Sequence, residues 1–401
     1  MKFLHKIYHY LFYALVFTIP FEDDIRAVPN ILIGILFVLL PFVEKQFVKK
    51  LLANKVYIIV IALILFTVLS SLIIGTISED MYVIKKLFIS IAVLVLSIPI
   101  KKSFKIQLFF ILSVTLGNFI SVFSLVNYAS EVGAFEIASG QHINDLLFIE
   151  RLYFGFINSL SIAFSLKIWS KVPKKYRLFL VFNMLLSACM LFLVVSRMAI
   201  ITVLLIFMIK VFYETNLKKS LITVALILGT VAAFFLFNDN LAKRFLYVDK
   251  KNDFFYKIRE WEPRYVIWNC AFSHLVNSSE HKLLIGDGFG MTQENLNNCY
   301  INSMTKKERI AYFLETRFNT HNQYLDLLLS KGLIGLAIFL FLIFSLIRLN
   351  NKDINQLNIL LVLVLFALIE NLFHRQIGVY LFALILIVLT PNKSEDNLLD
   401  E

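Results

Sequence analysis

"RFNTHNQYLDLLLSKGLIGLAIFLFLIFSLIRLN", residues 317–350, passes from polar to almost wholly apolar within one helix length. From Leu333 to Ile347 it carries no charge. With the residues from Gln323 onward it is long enough to cross roughly 30 Å of hydrocarbon. Runs of the same kind recur near residues 4–20, 28–43, 56–75, 84–100, 105–127, 153–170, 177–196, 198–213, 220–238, 356–373 and 377–390. Of the 401 residues, 59% are hydrophobic, forty are Phe and only 17% are charged; a soluble domain carries about 25% charge. The pattern predicts an all-α polytopic membrane protein with about twelve transmembrane helices. It has none of the alternating ten-residue segments of an outer-membrane barrel.

The net charge is +11. Its Lys and Arg stand in short clusters between apolar runs, which serves membrane orientation and argues against a nucleic-acid partner. With the N-terminus in the cytoplasm, the cytoplasmic connections read EKQFVKKLLANK, KKSFK, KIWSKVPKKYR, KVFYETNLKKS and RLNNKDINQ. The opposite set reads FEDDIRAVPN, GTISED, NYASEVGAFEIASGQHINDLLFIER, SR and FHRQIG, acidic or poor in lysine. Both termini are therefore expected in the cytoplasm. The resulting division is nine helices over residues 1–238, one large loop outside the cytoplasm over 239–322, three helices over 323–390 and a cytoplasmic tail over 391–401. The N-terminal run has a basic start but no small-residue cleavage site, so it reads as a retained first helix. No internal repeat of the inverted-transporter kind is visible.

The loop contains WEPRYVIWNCAFSHLV, an amphipathic pattern with Trp261, Tyr265, Trp268 and Phe272 near one stripe. Such a helix packs over the bundle or lies on the membrane surface. Cys270 and Cys299 both fall in the loop and would pair in an oxidising compartment, two free thiols being the alternative. Cys189 lies within an apolar span.

Three places carry candidate chemistry. In VVSRMAI, Arg197 sits between two apolar spans, where an arginine is either functional or snorkels to lipid headgroups. Arg264 follows Pro263 at the start of the loop helix, where a guanidinium can join the positive end of the helix dipole to hold an anion; Arg259 could do the same. Downstream, LLIGDGFGM alternates Gly286, Gly288 and Gly290, a loop that lets backbone approach a substrate closely. Without a Rossmann unit it is weak evidence for a nucleotide. Last, His321 and Asn322 stand at the lip of the quoted helix. A histidine can take a proton from a hydroxyl at neutral pH, and the asparagine can orient a sugar hydroxyl or the ring. Tyr324 then runs into the membrane, and Lys331, Gly332 and Gly335 are expected to kink the helix.

In this order, SRMAI, PRYVIW, IGDGFG and THNQYLDLLLSKGLIG resemble the O-antigen ligase/polymerase superfamily over roughly residues 190–340. The resemblance implies a GT-C-like membrane glycosyltransferase of the bacterial inner membrane, with a periplasmic loop of short helices carrying the active site. It implies transfer of a glycan from an undecaprenyl-diphosphate carrier to a hydroxyl of lipid A core or another glycan, among membrane lipids, with no metal and no nucleotide cofactor. By matching motifs, Arg197 and Arg264 would hold the diphosphate and His321 would be the general base, with Asn322, Gly288, Gly290 and Tyr324 positioning substrate. Glu370 and Arg375 would lie on the same side, paired with each other or with a catalytic arginine. An O-antigen ligase is the reading taken; a polymerase uses the same chemistry on a different acceptor. A transporter of lipid-linked glycans would show polar residues in many spans, whereas these concentrate in the loop and at span ends.

Overall fold

The computed structural model describes residues 2–100, 103–132, 140–236 and 262–390; Arg259, Trp261 and the tail 391–401 lie outside the described residues. These are helical throughout, without a strand. In chain order they form α1 (Lys2–Thr18), α2 (Ala27–Val43), α3 (Phe47–Ala53), α4 (Lys55–Ile74), α5 (Ile77–Leu96), α6 (Ser103–Val132), α7 (Gly140–Leu146), α8 (Arg151–Ile168), α9 (Lys174–Val194), α10 (Arg197–Glu214) and α11 (Leu217–Leu236). Four loop helices follow: α12 (Pro263–Val276), α13 (Glu280–Ile285), α14 (Phe289–Ser303) and α15 (Lys307–Thr316). The chain then returns through α16 (Gln323–Asn350), α17 (Ile354–Ala367) and α18 (Gln376–Leu389).

Each of the twelve apolar runs overlaps a helix, although the run 356–373 outlasts α17. By length and hydropathy, α4, α6, α9 and α16 are long and apolar enough to cross a membrane, and α2 with α3 makes a fifth if their 99° bend joins one span. The short α18 is apolar on every side and buried from Ile377 to Leu389. A helix of that composition is sheathed by protein, and α5 and α17 pack on it. Local signals set the boundaries. The Asn54 side chain accepts from the Val56 and Tyr57 amides to start α4, and left-handed Gly75 ends it. Asp353 caps α17 in the same way.

Polar groups are less confined to the loop than the sequence suggests. Asn183 donates to Ser161 and Ser165 at 3.0 Å and accepts from Thr115 at 2.9 Å. Asn118 donates to Asn158 at 2.8 Å. This uncharged seam joins α6, α8 and α9 as interhelical hydrogen bonds do in lipid, where side-chain amides and hydroxyls find each other. The residues are too far apart in sequence for hydropathy to reveal it.

The loop has a small core of its own, in which Ile267, Ala271, Leu296, Tyr300 and Phe313 pack against Leu325 and Leu329 of α16. The aromatic stripe of α12 is not its packing face, since Tyr265 and Phe272 are exposed while Ile267, Cys270 and Ala271 are buried. Among the described residues of the stripe only Trp268 turns inward, its Nε1 donating to the Thr320 carbonyl at 3.0 Å. Cys270 and Cys299 form a disulfide that ties α12 to α14. Alkylation of the denatured protein without reductant is expected to label the free Cys189 and spare the other two. Replacing both with serine should destabilise the loop by about 2–4 kcal/mol, read as a lower thermal midpoint of the purified protein.

Candidate active site

A break between α17 and α18 builds the site. The sequence carried one span to residue 373 on the strength of Leu372 and Phe373, but α17 ends at Ala367 and a 3-10 turn, Leu372–His374, precedes α18. The residues between include Glu370 and Asn371, both buried. Buried backbone and side chains that leave a helix must find protein partners, and here the partners come from the start of α16.

That start is fixed by Asn322. Its side-chain oxygen accepts from the amides of Tyr324 and Leu325, each at 3.0 Å, as a helix N-cap does. His321 precedes the cap with φ +43°, a left-handed conformation uncommon outside glycine and concentrated at functional sites. The Asn319 side chain accepts the His321 amide at 3.0 Å. The ring points to Glu370, with Nδ1 and Oε2 2.9 Å apart, and stays 19% exposed. An ionised carboxylate has only acceptors, so in the neutral ring this bond puts the proton on Nδ1 and leaves Nε2 able to accept one. A histidine oriented in this way is suited to act as a general base.

Arg264 reaches the same segment. Its Nη2 donates to the Ile369 carbonyl at 3.2 Å and its Nη1 to Glu262 at 2.9 Å. Consecutive residues, Ile369 and Glu370, therefore hold the arginine and the histidine. Arg197 opens α10 after left-handed Val195. The preceding Ser196 lies so close over α8 that a Cβ on Gly155 would come within 2.3 Å of its Oγ. One residue further along α8, Phe156 stacks on Phe366 at 4.0 Å. The start of α10 thus lies at the same end of the bundle as the end of α17 and Glu370.

Glu370 and Arg375 do not pair with each other. Glu370 is engaged by His321, whereas Arg375 binds Asp23 at 2.9 Å and also Glu150, with its guanidinium 4.8 Å from the Tyr153 ring centre. The turn geometry separates the two side chains, and acidic residues from the first half of the chain, Asp23 and Glu150, take the arginine.

The other expected positioning residues are engaged with protein. The Tyr324 hydroxyl donates to the Val364 carbonyl at 3.1 Å, which joins α16 to α17. The glycine alternation serves a crossing of two backbones: a Cβ on Gly286 would lie 2.2 Å from the Ser330 carbonyl carbon, and one on Gly332 2.3 Å from that of Leu284. Both glycines have positive φ, and Gly332 kinks α16 as the sequence predicts. The Gly288 amide donates to Ser330, and the Gly290 amide to Asp80 of α5 at 3.0 Å. The backbone approached closely here is the protein's own. Asp287, between the glycines, is held by His274 and Lys282. Burial pushes its carboxyl up, but these two partners more than reverse that and hold it below the usual carboxylate range. Their stabilisation is complete above about pH 4 and is lost as the pH falls through the lower folded-state value.

Beside this crossing lies an ion pair that the sequence did not announce. Lys331 Nζ stands 2.7 Å from Asp80 Oδ2, and both side chains are wholly buried. Ser71 donates to the same oxygen at 2.6 Å. Lys331→Met leaves a buried carboxylate unpaired and should cost about 3–5 kcal/mol. The expected readout is loss of monodisperse protein on size exclusion, with recovery when Asp80→Leu is added.

Residues 182–340 match the O-antigen ligase family, and no curated protein matches the chain. The matched segment holds Arg197, Arg264, Gly288, Gly290, His321, Asn322 and Tyr324; Glu370 and Asn371 lie beyond it.

Proposed function

On the premise that this chain carries the O-antigen ligase domain at residues 182–340, we propose that it is an O-antigen ligase of the bacterial inner membrane. It moves a glycan from undecaprenyl diphosphate to a sugar hydroxyl of lipid A core, with inversion at the anomeric carbon. Its twelve apolar runs lie in the membrane, the shorter helices packed among those long enough to cross it, both termini are cytoplasmic, and the segment from residue 239 to 322 lies in the periplasm. The charge asymmetry of the connections supports this orientation. So does the Cys270–Cys299 disulfide, since such bonds persist in oxidising compartments.

The observation that carries the reading is the His321–Glu370 contact. In the proposed reaction the acceptor oxygen attacks the anomeric carbon while its proton passes to His321 Nε2. The bond from that carbon to the diphosphate oxygen breaks, and the electron pair leaves with the diphosphate. The developing charge is met by Arg197 and Arg264, with a phosphate oxygen taking the place Glu262 occupies at Arg264. Preorganised cations aimed at a leaving group are among the largest contributions to catalysis. The purified protein given a lipid-linked donor and core acceptor should release one undecaprenyl diphosphate per glycosidic bond formed, with inverted configuration. A product of retained configuration would overturn the mechanism.

The arginines should not tolerate lysine. Arg197→Lys and Arg264→Lys keep the charge but lose the planar two-pronged contact, and each should lower kcat/KM by about 10-fold or more. Full activity in either variant removes that residue from the site.

A further inference from the structure

We infer that Asn371 is a positioning residue that holds the His321 turn in its reactive geometry; this rests on the general-base reading of His321. Asn371 is fully buried. Its Oδ1 accepts from the Asn322 amide at 2.8 Å and from the Thr320 hydroxyl at 2.9 Å. A backbone amide can only donate, so the orientation of the Asn371 side chain is fixed by its partner. The consequence is an Nδ2 that is buried and has no hydrogen-bond partner among the described residues. Unpaired buried donors are rare in folded proteins, and this one accompanies a specific gain. The two accepted bonds fall on the residues either side of His321, so one oxygen grips the turn at both ends.

The turn needs that grip. His321 has φ +43°, which a non-glycine residue keeps only where its surroundings over-determine it. Glu370 orients the imidazole and Asn371, the next residue, orients the backbone that carries it. Together they set where Nε2 points. Trp268 adds a third contact through the Thr320 carbonyl, linking the turn to the helix that bears Arg264. If the turn relaxes, Nε2 shifts relative to the acceptor hydroxyl. A displacement of about 1 Å in a reacting group can cost on the order of 100-fold in rate, with little change in how substrates bind.

The test uses the full-length protein in proteoliposomes, with a lipid-linked glycan donor and core acceptor. Asn371→Ala is expected to lower kcat by about 10-fold or more with donor and acceptor KM within about twofold. Asn371→Asp keeps an acceptor for both donors and should recover part of that loss. Thr320→Val removes one of the two bonds and should fall between Asn371→Ala and the unaltered protein. Thermal midpoint and closure of the Cys270–Cys299 disulfide report folding. Wild-type kcat in Asn371→Ala overturns the inference, as does equal impairment in the Ala and Asp variants with raised KM, which marks a structural role. If Asn371→Ala does not fold, Thr320→Val decides: a wild-type kcat there overturns the inference. His321→Ala is run alongside. Activity in His321→Ala refutes the base reading, whereas an inactive His321→Ala beside a fully active Asn371→Ala refutes only the positioning role.

Discussion

His321→Ala is expected to lower glycan transfer by about 10²–10⁴-fold, the usual contribution of a positioned general base, in protein that still folds. The side chain is partly exposed, and Glu370 is its hydrogen-bond partner. Removing it leaves the Asn322 cap of α16 intact, because that cap uses the asparagine's own side chain. The loss should appear in kcat with KM for both substrates nearly unchanged, since the imidazole acts on the proton and not on binding. Steady-state kinetics on reconstituted protein checks this. A variant that keeps wild-type kcat would show that another group removes the acceptor proton.

Glu370→Gln should cost about 100-fold or more in kcat, although the amide is nearly the same size as the carboxylate. The carboxylate can only accept a hydrogen bond from the ring, so Nδ1 carries the proton. A glutamine amide can donate to Nδ1 instead, which moves the ring proton to Nε2 and blocks the nitrogen that must accept. The defect is one of tautomer, so His321 should stay in place while catalysis fails. Glu370→Asp preserves the charge and should recover part of the rate if the shorter side chain reaches the ring. Wild-type turnover in Glu370→Gln would contradict an orienting role for this contact.

Hydropathy is a property of neighbours along the chain, which is why the apolar runs could be read off and each overlaps a helix. The kink at Gly332 and the histidine–asparagine entry to α16 were legible for the same reason, as was the candidacy of Cys270 and Cys299. What escaped was pairing across long separations. Glu370 sits in the apolar run FALIENLF, and nothing local says that its carboxylate meets a histidine 49 residues earlier. Arg375 lies five residues from Glu370, yet it pairs with Asp23, 352 residues away. The alternating glycines were visible, but their purpose was not, because Gly286 has meaning only against the Ser330 backbone that it crosses. Asn371 gave no signal at all. A lone asparagine after a glutamate has no pattern until the turn at His321 is laid against it.

As proposed above, this protein joins finished glycan to lipid A core. Deleting its gene in the native bacterium, and resolving lipopolysaccharide and extracted lipid-linked glycan on gels, tests this proposal most directly. A ligase deletion leaves bare core with long polymer on undecaprenyl diphosphate, a phenotype reversed by the wild-type gene and not by His321→Ala. Core bearing a single repeat unit would contradict the ligase assignment and make the protein a polymerase. An unchanged ladder would contradict lipid A core as the acceptor.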